Sequence, residues 1–149
     1  MIKTEHSIII NRPVEEVWKY LSNVENMPKW DRGVLEARQT SDGPIGVGSE
    51  VQIVRQMLGR QRIANFRVSE YVPNKILAIQ GSLGHMTAQT GFTFEPVEGG
   101  TRLTQRSEIE ISGWWKLIVT LLIPMFKRDG RQDHANLKRI LEAPAQQSH

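Results

Sequence analysis

Between Val34 and Ile111, turn signals punctuate the chain roughly every 8–14 residues, and that regularity constrains the fold more than any other feature. "VLEARQT" runs into "SDGPIGVGS", "EVQIVRQML" into Gly59-Arg60, and "QRIANFRVSEYV" into Pro73-Asn74. "KILAIQGS" then meets Leu83-Gly84, and "HMTAQTGFTFEPV" turns at Glu98-Gly99-Gly100 into "TRLTQRSEIEI". Connections this short join neighbouring strands antiparallel, so the region predicts a meander of about six strands. A further strand, "KTEHSIIIN" over Lys3–Ile10, precedes it, β-branched and weakly alternating.

Elsewhere the period changes. In "RPVEEVWKYLSN", Val14, Val17, Trp18 and Leu21 fall on one helical stripe. Pro13 suits the first helical position, and Glu15 and Glu16 the positive first turn. "VENMPKWD" reads as a second short helix or turn, broken at Pro28 and ending near Trp30. The last helix is predicted from Gly113 or Trp114 to Glu142, capped by Ser112. Its first half is apolar around most of its circumference, whereas "KRDGRQDHANLKRILE" carries a narrow stripe through Gly130, Leu137, Ile140 and Leu141. Pro124 lies at the join, where its ring displaces the carbonyl four residues back and bends the axis. The expected order is β–α–α, six strands, then α: an α+β fold in which one long helix covers a curved antiparallel sheet. Its 149 residues suit one domain, expected over residues 1–142, with a flexible tail at 143–149.

The apolar segment of the last helix is too short to span a bilayer. Trp114 to Phe126 gives about 20 Å of helix against a hydrocarbon core of about 30 Å, and Lys116 and Pro124 interrupt it. The start, "MIKTEHSIII", has too short an apolar run for a secretory signal. The chain has no cysteine, hence no disulfide or thiolate chemistry, which fits a cytoplasmic location. A net charge of +3, the difference of 19 basic and 16 acidic residues scattered along the chain, does not favour a nucleic-acid partner.

Alternation assigns an inward face. Val51 and Ile53 share it with Arg55 and Met57, Ala64 with Phe66 and Val68, and Met86 with Ala88, Thr90, Phe92 and Phe94. On the last strand Leu103, Gln105, Ser107, Ile109 and Ile111 point together. Apolar walls bearing a few small or polar groups suit a ligand cavity better than a solid core, although Thr90 and Ser107 bonded to neighbouring strands, with Gln105 at the sheet's edge, would serve a core as well. Arg55, if it enters that face, needs a carboxylate from protein or ligand. Asp31, after Trp30, and Asp133, near Gly130 and Leu137, are the candidates.

Four histidines offer acid–base chemistry near neutral pH. His6 is in phase with Ile8 and Ile10, His85 precedes the sixth strand, and His134 lies at the edge of the helical stripe. His149 ends the chain. Each is as well explained by a structural or surface role. No HExxH motif, histidine pair at i, i+4 or carboxylate cluster appears, so neither a metal nor a cofactor is expected. The glycines of "DGPIGVGS" read as a hairpin turn, since no Lys-Ser/Thr and no helix follows.

"SIIINRPVEEVWKYLSNVENMPKW", "TSDGPIGVGS", "VSEYVPNKIL", "FTFEPVEGGTRLT" and "ANLKRILE" together resemble the polyketide cyclase/dehydrase group of the SRPBCC (START/Bet v1-like) superfamily, over nearly the whole chain to Glu142. The resemblance implies a helix-grip fold: seven antiparallel strands around a long C-terminal helix, two short helices after strand one, and a cavity for a lipid, polyketide, quinone or aromatic compound between helix and sheet. Trp114, Ile118, Leu122 and Phe126 would then wall it. With Trp30, Ile53, Arg55, Phe66, Met86, Ala88, Thr90, Phe92, Gln105 and Ser107 they form the expected pocket. The resemblance supplies no catalytic residue, and His6, His85, His134, Asp31 and Asp133 stand as candidates only. Three functions remain open: a binder of a small hydrophobic or amphipathic ligand, a cofactor-independent cyclase or dehydratase, and a peripheral lipid carrier or interaction protein touching membrane near Trp114–Lys116. A monomer or weak homodimer is expected.

Overall fold

The computed structural model describes residues 2–57, 59–83 and 86–143, without the side chains of Met57, Leu83, Trp115 and Phe126. Seven strands form one sheet: β1 (Ile2–Ile10), β2 (Val34–Gln39), β3 (Glu50–Met57), β4 (Arg60–Val72), β5 (Ile76–Leu83), β6 (Met86–Val97) and β7 (Gly100–Ile111). Their order is β1-β7-β6-β5-β4-β3-β2, every pair antiparallel. The predicted meander is therefore present, with β1 returning alongside β7. The turns match their residues: Asn74 takes the left-handed conformation at φ 65°, and Gly99 at φ 86°.

Helices α1 (Val14–Ser22) and α2 (Met27–Trp30) follow β1, joined by a 3-10 turn at Val24–Asn26. The predicted stripe Val14, Val17, Trp18 and Leu21 is buried. Trp18 packs edge-on against Phe94 and Tyr71, with centroids 5.0 and 5.2 Å away, so α1 closes one end of the sheet. Two details differ from expectation. Pro13 sits one residue before the helix, at the cap. Pro28 lies in the first turn of α2 and does not break it, because a first-turn N–H has no helical partner to lose.

The long helix α3 (Trp115–Glu142) continues through Pro124. Its N-cap position is held by Trp114, two residues after the expected Ser112. The second half is tied down. Asn136 Nδ2 donates to the carbonyls of Lys29 and Trp30 at 3.2 and 3.3 Å. Lys138 Nζ donates to Ile9 O at 2.5 Å, and Glu142 accepts from Asn11 N at 2.7 Å. Leu137 is fully buried. This half thus locks against β1 and α2 and completes the helix grip.

The core sits at the α1 end, around Ile10, Val17, Val68, Leu77, Phe94, Leu103 and Leu137. Toward the β5–β6 connection the inward positions change character. Ile79, Met86, Ala88, Thr90, Ser107, Ile109 and Ile111 are only half-buried. The sheet's inner face is thus covered at one end and incompletely covered at the other, where β7 hands over to α3.

Candidate functional site

The residues that could do chemistry gather where α2 and β3 meet the second half of α3. Asp31 ends α2 and Arg55 lies on β3 in the inward phase of Val51 and Ile53. Arg55 Nη2 donates to Asp31 Oδ2 at 2.8 Å, with the Arg55 side chain about one-third exposed and Asp31 mostly buried. The carboxylate that the inward phase of Arg55 required is therefore Asp31. Gly33 N donates to the other oxygen, Asp31 Oδ1, at 3.0 Å. A Cβ on Gly33 would stand 2.7 Å from Arg55 Nη1, so glycine there gives the guanidinium its room.

Asp133 approaches the same group from α3. It accepts from Arg32 N at 3.4 Å and faces Arg32 Nε at 3.7 Å. Burial, then the negative charge of Asp31, push its carboxyl up to about 6, against the opposing pull of Arg32.

One helical residue further, His134 is buried to 2% exposure, at the centre of the interface and not at the edge that the stripe predicts. Its Nε2 meets Gln105 Oε1 at 2.5 Å, and its ring lies 4.6 Å from that of His6, which is directly opposite Gln105 in the β1–β7 register. A glutamine carbonyl accepts, so Nε2 carries the hydrogen and Nδ1 the lone pair. That Nδ1 is buried and has no hydrogen-bond partner among the described residues. Burial, with His6 adding repulsion, pulls the imidazole down to about 4, so it is neutral at physiological pH.

The apolar part of the predicted pocket lies beside this cluster. Trp30 and Ile53 are buried, and Phe92 packs edge-on to Trp30 at 5.9 Å. Thr90 and Ser107 hydroxyls bond to each other at 3.2 Å, as a cross-strand pair. Phe66, Met86, Ala88, Ile118 and Leu122 are half-buried. Trp114 is 67% exposed. His85 and the Phe126 side chain lie outside the described residues. A separate open hollow of about 770 Å³ crosses β3 to β7. It touches Phe66 and Ala88, but Asn65, Arg67, Gln80, Gln89, Glu108 and Glu110, of the opposite phase, give it a polar lining unlike the histidine–carboxylate site. Among the described residues no group of three His, Cys, Asp or Glu is placed to hold a metal ion.

Sequence reasoning overlooked Arg32 and did not pair Gln105 with His134. Arg32 follows two candidate residues, Trp30 and Asp31, but its link to Asp133 spans 101 positions and has no local signal. For His134 a signal existed: His134, Leu137 and Leu141 fall at i, i+3, i+7, which puts the ring inside the stripe.

In solved structures the fold recurs in the Zhui aromatase/cyclase of Streptomyces sp. R1128 (13% identity, 95% of this chain and 93% of that one, TM-score 0.75). It recurs in a protein of Thermus thermophilus (13% identity, 94% and 97% covered, TM-score 0.78) and in Ara h 8.0201 (11% identity, 94% and 97% covered, TM-score 0.68). At such identities the likeness is one of fold. No curated protein matches the chain by sequence. The family model described as polyketide cyclase/dehydrase and lipid transport matches residues 1–142, and the chain belongs to that family.

Proposed function

We propose that the protein binds an amphipathic small molecule between the sheet and α3, with a hydroxyl or enol of the ligand donating a hydrogen bond to His134 Nδ1. The observation that carries this reading is the buried acceptor of His134, which has no partner among the described residues. Such an atom costs about 1–3 kcal/mol when unsatisfied, and a donor on a guest molecule relieves it. The half-buried inner face beside it supports an apolar ligand body, and family membership supports a ligand-binding or cyclase role. Asp31, Arg55 and Asp133 form the polar end.

Fluorescence titration with 2-naphthol and with naphthalene tests the reading. The wild type binds the naphthol roughly 2–10-fold more tightly, the ratio expected of one net hydrogen bond. His134→Phe keeps an apolar ring and loses that preference while retaining naphthalene. Failure of the wild type to bind either compound overturns the proposal.

A second reading, a cofactor-independent cyclase or dehydratase on a polyketide-like or aromatic substrate, draws on the same atom. A neutral imidazole with a free lone pair can take a proton from a carbon flanked by carbonyls, leaving the electron pair on the enolate oxygen, and protonated Asp133 can return one. A pKa near 4 makes His134 a weak base, so binding is the stronger reading. Deuterium exchange into an aryl β-diketone, followed by NMR, distinguishes the two: catalysed exchange that His134→Phe abolishes supports the enzyme, and exchange no faster than buffer removes it.

A further inference from the structure

We propose that the outer stripe of the first half of α3 is a docking face for an anionic lipid bilayer, on which the helix lies parallel to the membrane plane. The stripe is Trp114, Leu117, Leu121 and Met125, exposed by 67, 69, 74 and 41%. Spacings of three and four residues put these side chains on one side of the helix, and Val119, 8% exposed, lies on the other. A lone exposed leucine is ordinary. Four large apolar side chains along about 16 Å of helix form a continuous apolar ridge, the kind of surface that marks a contact.

Charge selects the occupant. Counted by element, the basic excess is not scattered. Residues 113–131 hold four basic side chains, Lys116, Lys127, Arg128 and Arg131, and one acidic, Asp129. The rest of the chain holds 15 of each sign, so the entire net charge of +3 belongs to this one segment. All four basic residues are exposed, whereas Asp129 is half-buried. Lys127, Arg128 and Arg131 follow the end of the apolar ridge, and Lys116 lies within its first turn. An amphipathic helix with apolar side chains facing the acyl boundary and cations at the headgroups has this pattern. A second copy of the chain fits poorly, because a self-complementary contact would set one basic cluster near another. No helix among the described residues is long and apolar enough to cross a membrane, so the contact is peripheral.

Co-sedimentation with phosphatidylcholine vesicles, with and without phosphatidylserine, tests the face. The wild type pellets with the phosphatidylserine vesicles and much less with phosphatidylcholine alone, and added salt releases it. Leu117→Ser/Leu121→Ser abolishes binding, and Lys127→Glu/Arg128→Glu weakens it at least about tenfold, at roughly 1 kcal/mol for each charge near the surface. Circular dichroism of each variant matches wild type, since all four side chains are exposed. Absence of binding to the anionic vesicles overturns the proposal. So does a wild-type dimer in analytical ultracentrifugation that the leucine variant dissociates, which would assign the ridge to self-association. Neither result bears on the naphthol measurement, which reads the interior alone.

Discussion

The two halves of α3 belong to one unbroken helix and have opposite surroundings. From Gln132 to Glu142 the helix is fastened to the rest of the molecule: Asn136 to α2, Lys138 and Glu142 to β1 and its exit, and Leu137 in the core. From Lys116 to Arg131, among the described side chains, the one hydrogen bond is Thr120 Oγ1 to Lys116 O, inside the helix. The more apolar half is therefore the less buried one. Hydrophobicity in a segment gives its capacity for burial, and the number of apolar surfaces within reach decides how much of that capacity is used inside the molecule. Here the second half buries His134 and Leu137 and covers Ile140 and Leu141 in part. The first half has apolar surface on both sides, one toward the half-covered sheet and one toward solvent.

The largest expected effect breaks the comparison if it fails. Leu137→Ala, at a fully buried position, costs about 2–5 kcal/mol in urea unfolding. A loss near zero would mean that the second half is no more firmly held than the first.

The next effect sharpens the electrostatics of the fastened half. His134 has its folded pKa near 4, below the ordinary 6.5. Between those values the unfolded chain binds the extra proton, so this group makes stability fall as pH drops from 6.5 to 4. Asp133 has its folded pKa near 6, above the ordinary 3.8. There the folded protein holds the extra proton, and stability from this group is complete below 3.8 and is lost as pH rises through 6. The two slopes oppose each other over nearly the same window. Removing one should expose the other: relative to wild type, Asp133→Asn loses stability as pH falls through the window, and His134→Phe gains it. Denaturant midpoints at several pH values check this, and parallel curves for wild type and both variants would remove the opposition.

The smallest effect lies on the first half. Leu121→Ala, at a position 74% exposed, changes unfolding stability by less than about 0.5 kcal/mol. A cost approaching that of Leu137→Ala would show that the ridge is packed in the free protein, and the contrast between the halves would vanish.

Much of the fold was legible because its signals are local. Turn residues such as Asn74 and Gly99 and the α1 stripe act within a few positions, and period-two alternation placed Arg55 and Gln105 on the inner face before any partner was known. The helix start was read less well: Ser112 looked like a cap, but the helix begins after Trp114, since several polar and small residues can precede a first turn and only backbone geometry selects one. The candidate site was legible as residues and not as contacts. Asp31, Arg55, Asp133, His6, Gln105 and His134 could all be singled out, yet their joining depends on α3 crossing from the end of β7 to the start of α1.

By itself the sequence determined the element order, the antiparallel meander, the phase of the inner face and the placing of the net charge on one helix. Each follows from residues within reach of one another along the chain. Only the tertiary structure decided that Asp133 meets Asp31, that His134 Nε2 is taken by Gln105 while Nδ1 has no partner among the described residues, and that Leu117 and Leu121 face outward. These depend on distance in space and on which surface is left over after the others are covered, and sequence periodicity encodes neither.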